Sequence, residues 1–276
     1  MTAYWNELGH HTDLAPIWMA HPDVRAAINR RVTADASQWP LAALKRWLGA
    51  RMPIGKVVSV GCGVGGLERS LISEGIARDV TGIDASPAAI EEARALAGSA
   101  ITYAVADARQ FLASHAGEFD AVFFHQSLHH FDRLDDLMTV VRHALKPGGF
   151  LYADEYVGPS RDEWRWWRLL IPNLAYYSVP AAARRPHLVR APINRDDPTE
   201  AVRSSEIVAS IARHFRIVHK RDYGGNILAV VYPNLRRPSE GAPPDAFGRA
   251  VRRLIAIEER LLRLGAGSFY TTMIAQ

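Results

Sequence analysis

The β-branched run Val57-Val58-Ser59-Val60 stops at a glycine-rich turn, Gly61-Cys62-Gly63-Val64-Gly65-Gly66, and a helical pattern follows from Leu67 to Ser73. No other stretch restricts the fold as tightly. Gly61, Gly63 and Gly65 permit a tight turn and a close approach of backbone to ligand, which a Cβ would block. Asp84 ends the next apolar run, Val80 to Ile83. It stands about twenty residues on, the spacing at which a carboxylate meets ribose hydroxyls in a doubly wound α/β sheet. The chain is therefore expected to bind a cofactor that contains a nucleoside.

Short apolar runs and helical patterns alternate from residue 56 to residue 154. Val57-Val60, Val80-Ile83, Ile101-Val105, Ala121-Phe124 and Phe150-Ala153 are expected strands, with helices over Leu67-Ser73, Pro87-Ala97 and Leu134-Leu145 between them. Strict alternation predicts a parallel sheet with helices on both faces. Ser86-Pro87 is a helix start, and Lys146-Pro147-Gly148-Gly149 reads as a stop and turn before Phe150. Residues 1 to 50 read as mostly helical, equally a collar on the sheet or a lid. Farther on, residues 204–214 read as a helix and Phe215-Lys220 as a strand. Ala246 to Leu264 is amphipathic, with Phe247, Val251, Leu254, Ile257, Leu261 and Leu264 near one face. Phe269-Ala275 and Ile227-Tyr232 compete for the last strand.

Composition excludes several classes. At 276 residues, 48% hydrophobic and 22% charged, the chain fits one globular domain with elaborations. A net charge of +4 permits an anionic partner without requiring one. The single cysteine, Cys62, excludes an intrachain disulfide and suits a reducing compartment; it reads as a small residue filling the turn. Met1 to His11 lacks the pattern of a signal peptide, and no window of ~18 apolar residues exists, so a cytoplasmic location and no membrane span are expected. His10-His11 and His129-His130 lack ligand spacing, and neighbouring histidines are expected to point to different sides, so no metal is expected. Neither a Gly-x-Ser-x-Gly elbow nor a Walker lysine is present.

Several segments together resemble the class I S-adenosylmethionine-dependent methyltransferases. Val60-Gly61-Cys62-Gly63-Val64-Gly65 is similar to the first motif of that family, and Gly82-Ile83-Asp84-Ala85-Ser86 to the second. Ala106-Asp107-Ala108 is similar to the third. Phe119-Asp120-Ala121-Val122 through Ser127-Leu128-His129-His130-Phe131 is similar to the fourth, and Leu145-Lys146-Pro147-Gly148-Gly149 to the turn after it. The resemblance implies a Rossmann-like, doubly wound α/β fold with a mostly parallel seven-stranded sheet. It divides the chain into an N-terminal collar or lid (1–50) and a methyltransferase domain (51–276) with an insertion at about 156–203 that covers the acceptor.

The implied cofactor is S-adenosyl-L-methionine, contacted by Ser59, Gly61, Cys62, Gly63, Gly65, Ala85, Ser86, Ala108, His125 and Gln126. Asp84 is expected on the ribose and Asp107 on the adenine amino group. Gly66 also completes a G-x-G-x-x-G, so the glycines by themselves leave a nicotinamide cofactor open. Ser59 departs from the family, which usually carries an acid there to orient the methionyl amine. Candidates for a general base at the carboxyl ends of the strands are Glu155, then His129, then Asp154.

Residues 155 to 200 mix Trp164, Trp166 and Trp167 with arginines and six prolines. They are expected to supply Tyr156, Arg161, Trp164 and Arg195 to an acceptor pocket; ordinary surface and core, or contact with an anionic membrane or polymer, are the other readings. The favoured function is methyl transfer to an oxygen of a small molecule, a sugar or glycan precursor or a specialised metabolite, without nucleic acid. The alternatives are an RNA methyltransferase using segment 161–195 and a non-catalytic cofactor binder. A homodimer through the helix 246–264 is left open.

Overall fold

The structure is a computed structural model and describes residues 17–276. The first part of the expected collar, with Trp5 and the His10-His11 pair, lies outside the described residues. Helices α1 (Pro22–Thr33) and α2 (Leu41–Leu48) precede the sheet. Then β1 (Ile54–Val60), α3 (Gly66–Ser73), β2 (Ala77–Asp84), α4 (Pro87–Ala95), β3 (Ile101–Val105), α5 (Ala108–Ala113), β4 (Phe119–His125), α6 (Leu134–Ala144) and β5 (Leu145–Tyr156) alternate. Next come α7 (Leu170–Ser178), α8 (Ile207–His214), β6 (Ile217–Gly224), the short α9 (Leu228–Val231), α10 (Pro244–Arg263) and β7 (Tyr270–Ala275). The seven strands form one sheet in the order β3-β2-β1-β4-β5-β7-β6, and only β7 runs antiparallel to its neighbours.

Local chemistry sets the element boundaries. Ser86 caps α4 by accepting from Ala89 N, with Pro87 as the first helical residue. Asp107 caps α5 in the same way, accepting from Gln110 N at 3.0 Å. The strands alternate sides with period two. Val122, Phe124, Leu151 and Ala153 join the core under α5, α6 and α8. Phe123, Phe150 and Tyr152 join the core under α2, α3 and α4. A third core, around β6, β7, α1, α7, α9 and α10, includes Trp18, Tyr176, Leu228 and Leu254.

Two readings of the sequence are resolved here. Lys146-Pro147-Gly148-Gly149 does not precede β5 but lies within it: Phe119 pairs with Leu145 and Ala121 with Phe150, so the extra residues are absorbed as a bulge. Of the competing last strands, Phe269-Ala275 contains β7, whereas Ile227-Tyr232 leaves the sheet as α9. Gly224 and Gly225 turn the chain at φ of +102° and +91°. The fully buried Glu258 of α10 then accepts from the backbone N–H groups of Gly225, Ile227 and Leu228 at 2.9–3.1 Å, fixing the start of that helix.

Candidate active site

The carboxyl ends of β1, β2, β3 and β4 bring the expected cofactor residues to one edge. Gly61, Gly63 and Gly65 all have positive φ. A Cβ on Gly61 would sit 2.5 Å from Ser127 Cβ, and one on Gly65 would sit 2.2 Å from Tyr103 Oη, so these two glycines are required by the fold. Gly63 has no heavy atom within 4 Å of its missing Cβ. Its N–H donates to Asp84 Oδ2 at 2.9 Å, and Ser86 N donates to Asp84 Oδ1 at 2.8 Å. The Asp84 carboxylate is thereby aimed while each oxygen keeps a lone pair for another donor.

Ala85 continues the turn after Asp84. Asp107 is exposed beside the buried Ala108. Cys62 is half-buried, with its thiol pKa pushed up by burial and by the Glu68 and Asp84 charges, so it stays protonated and packs. Gln126, past the end of β4, holds φ +54°, an uncommon conformation for a side chain of its kind. Its N–H and its Nε2 both donate to Asp154 O, at 2.8 and 3.0 Å.

On the other side of the sheet edge, Glu155 has no exposed surface. Its Oε1 accepts from Ser127 N and Leu128 N at 2.8 and 2.7 Å, and its Oε2 lies 2.8 Å from His129 Nδ1. Both oxygens are thus committed to the turn after β4, which leaves the carboxylate as an anchor for His129. The imidazole's second nitrogen, Nε2, faces Glu200 Oε1 at 3.7 Å. Burial pushes the His129 pKa down, but the Glu155 hydrogen bond and charge, with Glu200 and Asp197, outweigh it and raise the pKa above its ordinary value. His130, pushed down to about 4 by burial and by His129, meets Asp197 Oδ2 at 3.5 Å and Glu200 Oε2 at 3.8 Å. Burial raises the pKa of Glu200.

The expectation that neighbouring histidines point apart does not hold at this turn. The rings of His129 and His130 are 4.3 Å apart, and with Glu200 they offer donor atoms within 4.8 Å of one another. This grouping has room for a cation, although its imidazole-to-carboxylate separations are those of ion pairs.

Two cavities flank this edge. A cavity of about 110 Å³ is lined by Trp18, Tyr156, Arg161, Trp164, Glu200 and Tyr270, among others. Three of the four expected acceptor residues meet there. The fourth, Arg195, is exposed on the turn where Asn194 Oδ1 accepts from Asp196 N, and it does not line the cavity. Arg161 also ties down its own segment, donating to Asp197 O and Pro198 O at 3.1 and 2.6 Å. A larger cavity, about 620 Å³, adjoins Gly66 and is lined by Arg25, Trp39, His125, Gln126, Asp154 and Tyr223, among others. Asp154 there accepts from Tyr223 Oη at 2.6 Å, and its burial raises its pKa.

Comparison with known proteins bears on this edge. Residues 57–149 match the family model described as a methyltransferase domain. Curated ubiquinone biosynthesis O-methyltransferases are also similar. The one from Thiobacillus denitrificans is 33% identical over 112 residues, 39% of this chain and 47% of that protein. The one from Xylella fastidiosa is 33% identical over 128 residues, 42% of this chain and 50% of that protein. The chain thus matches about half the length of these relatives. Among solved structures, geranyl diphosphate C-methyltransferase from Streptomyces coelicolor A3(2) superposes with a TM-score of 0.53 at 18% identity, over 99% of this chain and 95% of that one. A phosphoethanolamine N-methyltransferase from Haemonchus contortus gives 0.55 at 18% identity, over 100% of this chain and 60% of that one. These two likenesses concern the fold.

Residues 57–149 are a methyltransferase domain.

Within the methyltransferase domain, Ser59 is the departure from the usual pattern, and the structure shows what accompanies it. Glu68 of α3 is fully buried under the glycine turn, beside Ser59, Cys62 and Tyr103. The Ser59 side chain is close enough to lower its pKa, yet burial dominates and raises it. Sequence reasoning missed Glu68 because helical spacing reads it as an ordinary first-turn acid. Glu200 and Trp18 were missed because they are remote in sequence from every motif of the methyltransferase domain.

Proposed function

We propose that this protein transfers a methyl group from S-adenosyl-L-methionine to a hydroxyl oxygen of a small acceptor. When bound, that cofactor supplies a methyl group already electrophilic enough that the protein need not generate a nucleophile of its own. The residues present fit it. Gly63 leaves open space where a side chain would stand, Asp84 is pre-aimed for ribose hydroxyls, and Asp107 lies exposed one strand further along. Glu68 supplies, from the helix beside Ser59, the carboxylate that position 59 lacks as a partner for an ammonium group. Arg25 offers a cation for a carboxylate in the larger cavity.

The observation that carries the oxygen-directed reading is the Glu155–His129–Glu200 line. Glu155 fixes the ring through Nδ1, so Nε2 faces the carboxylate that lines the smaller cavity. An imidazole held this way takes the acceptor's hydroxyl proton as the new bond forms, and neighbouring carboxylates stabilise the imidazolium. Trp18, Tyr156, Trp164 and Tyr270 give the cavity an aromatic wall. Its volume is of the order of a single small ring, which favours a hydroxylated ring as acceptor. The O-methyltransferase names of the curated relatives agree with oxygen as the target. Incubation with S-adenosylmethionine and a panel of ring hydroxyl compounds tests this by mass spectrometry. Gain of one methyl group with matching S-adenosylhomocysteine supports it, and methylation of amine acceptors only would overturn it.

A further inference from the structure

Between Trp164 and Arg195 the chain carries Arg165, Arg168, Arg184, Arg185, Arg190 and Arg195, and no Asp or Glu. The whole chain has a net charge of only +4, so its positive charge is concentrated here. Within this segment the turn Trp166–Leu169 runs directly into α7. One side of α7 is packed, with Pro172, Ala175 and Tyr176 buried. The other side is apolar and open: Trp166 is 75% exposed, Leu174 72%, Leu170 and Ile171 52% each, Tyr177 52% and Trp167 51%. Trp166, Leu170, Leu174 and Tyr177 follow the spacing of one helical face. A helix apolar on both sides normally lies inside a protein or against something else.

The charges say what that something is. The Arg168 guanidinium lies 4.7 Å over the Trp167 ring and that of Arg184 lies 4.9 Å over Tyr177, so cations flank the apolar face. Arg165 and Arg190 are exposed, and Arg253 of α10 adds a further cation beside Ser178. A second copy of the chain would bring the same arginines against themselves. A nucleic acid would find phosphate partners but no use for Leu170, Ile171 and Leu174, which cannot stack on bases. An anionic bilayer satisfies both halves: aliphatic and indole side chains enter the boundary between headgroups and acyl chains, and arginines meet lipid phosphates.

We propose that the Trp166–Ser178 face docks on an anionic lipid surface. The proposal stands apart from the methyl-transfer reading. Trp164 and Ile193, in the same segment, line the smaller cavity, so docking places that cavity beside the bilayer.

The test is flotation of the full chain with vesicles of phosphatidylcholine alone, or of phosphatidylcholine and phosphatidylglycerol in equal parts. The expected result is binding at least about tenfold stronger to the mixed vesicles, weakened by salt, with a blue shift of tryptophan fluorescence. Leu174→Glu and, separately, Arg165→Ser with Arg168→Ser should each reduce binding about tenfold. Melting temperatures close to the parent's show that the variants are folded; Leu174 is 72% exposed and Arg165 is exposed. Equal binding to both vesicle types, no binding, or undiminished binding by Leu174→Glu overturns the proposal. So does a dimer seen by sedimentation that Leu174→Glu dissolves, or retention on RNA but not on vesicles.

Discussion

Asp154 and Glu155, consecutive at the end of β5, face opposite sides of the sheet. Asp154 accepts from Tyr223 Oη at 2.6 Å in the larger cavity, whereas Glu155 holds His129 at 2.8 Å on the side of the smaller one. The pleat of a strand enforces this division, because adjacent side chains point to opposite faces. Two carboxylates that look equivalent in sequence therefore serve different neighbours.

That separation makes Glu155 testable as a positioning residue. The raised pKa of His129 means that its neutral, proton-accepting form predominates only at a pH above the ordinary imidazole value of 6.5. Methyl transfer should rise with pH, with an apparent pKa above 6.5. Glu155→Gln removes the largest raising influences, so the limb should move to lower pH while kcat falls by about ten- to a hundredfold. A profile left in place in that variant would remove His129 from the chemistry. The same shift has a stability sign: the folded state binds this proton more tightly than the unfolded chain. Its contribution is fully present below pH 6.5 and is lost as pH rises through the folded value.

Asp84→Ala should weaken cofactor binding by about ten- to a hundredfold, since charge-assisted hydrogen bonds to the ribose are lost. It also frees Gly63 N and Ser86 N. Asp84→Asn keeps an acceptor without the charge and should fall between the two. Titration calorimetry with S-adenosylhomocysteine reads this directly, and parent-like affinity in Asp84→Ala would refute the ribose assignment.

Gly63 and Gly65 should separate binding from stability. A methyl at Gly65, with φ +80°, meets Tyr103 Oη, so Gly65→Ala should cost about 1–3 kcal/mol of stability. At Gly63, with φ +51° and open space around it, Gly63→Ala should cost only about 1–2 kcal/mol. Gly63→Val should remain folded and lose cofactor binding by steric exclusion. Thermal melting with and without S-adenosylhomocysteine distinguishes the two sites.

Glu68→Gln should lower affinity for S-adenosylhomocysteine about tenfold, because an amide cannot balance the ammonium charge. Returning the acid to the strand, Ser59→Asp with Glu68→Ser, should restore most of it. If Glu68→Gln binds as the parent does, the carboxylate is structural only.

Much of this architecture was legible in the residues. The glycine turn, the Ser86-Pro87 helix start and the Asp107 cap act through near neighbours, and their chemistry is written locally. The mostly parallel sheet follows from the alternation of apolar runs and helical patterns. Lys146-Pro147-Gly148-Gly149 has the composition of a stop and turn, and a bulge differs from a turn only in whether a partner strand lies alongside. Ile227-Tyr232 has strand composition, but Glu258, some thirty residues away, turns it into a capped helix.

By itself the sequence determined the order of elements, the positive-φ turn and the carboxylate spacing, since each depends on backbone sterics and short-range periodicity. Only the tertiary structure decided which carboxylate anchors His129, that Glu200 stands opposite it, that Glu68 lies beneath Ser59 and that Arg195 turns away. Those relations join residues far apart in the chain, and burial sets the charge behaviour of His129, Glu68 and Glu200. Burial is a property of packing, which no local pattern encodes.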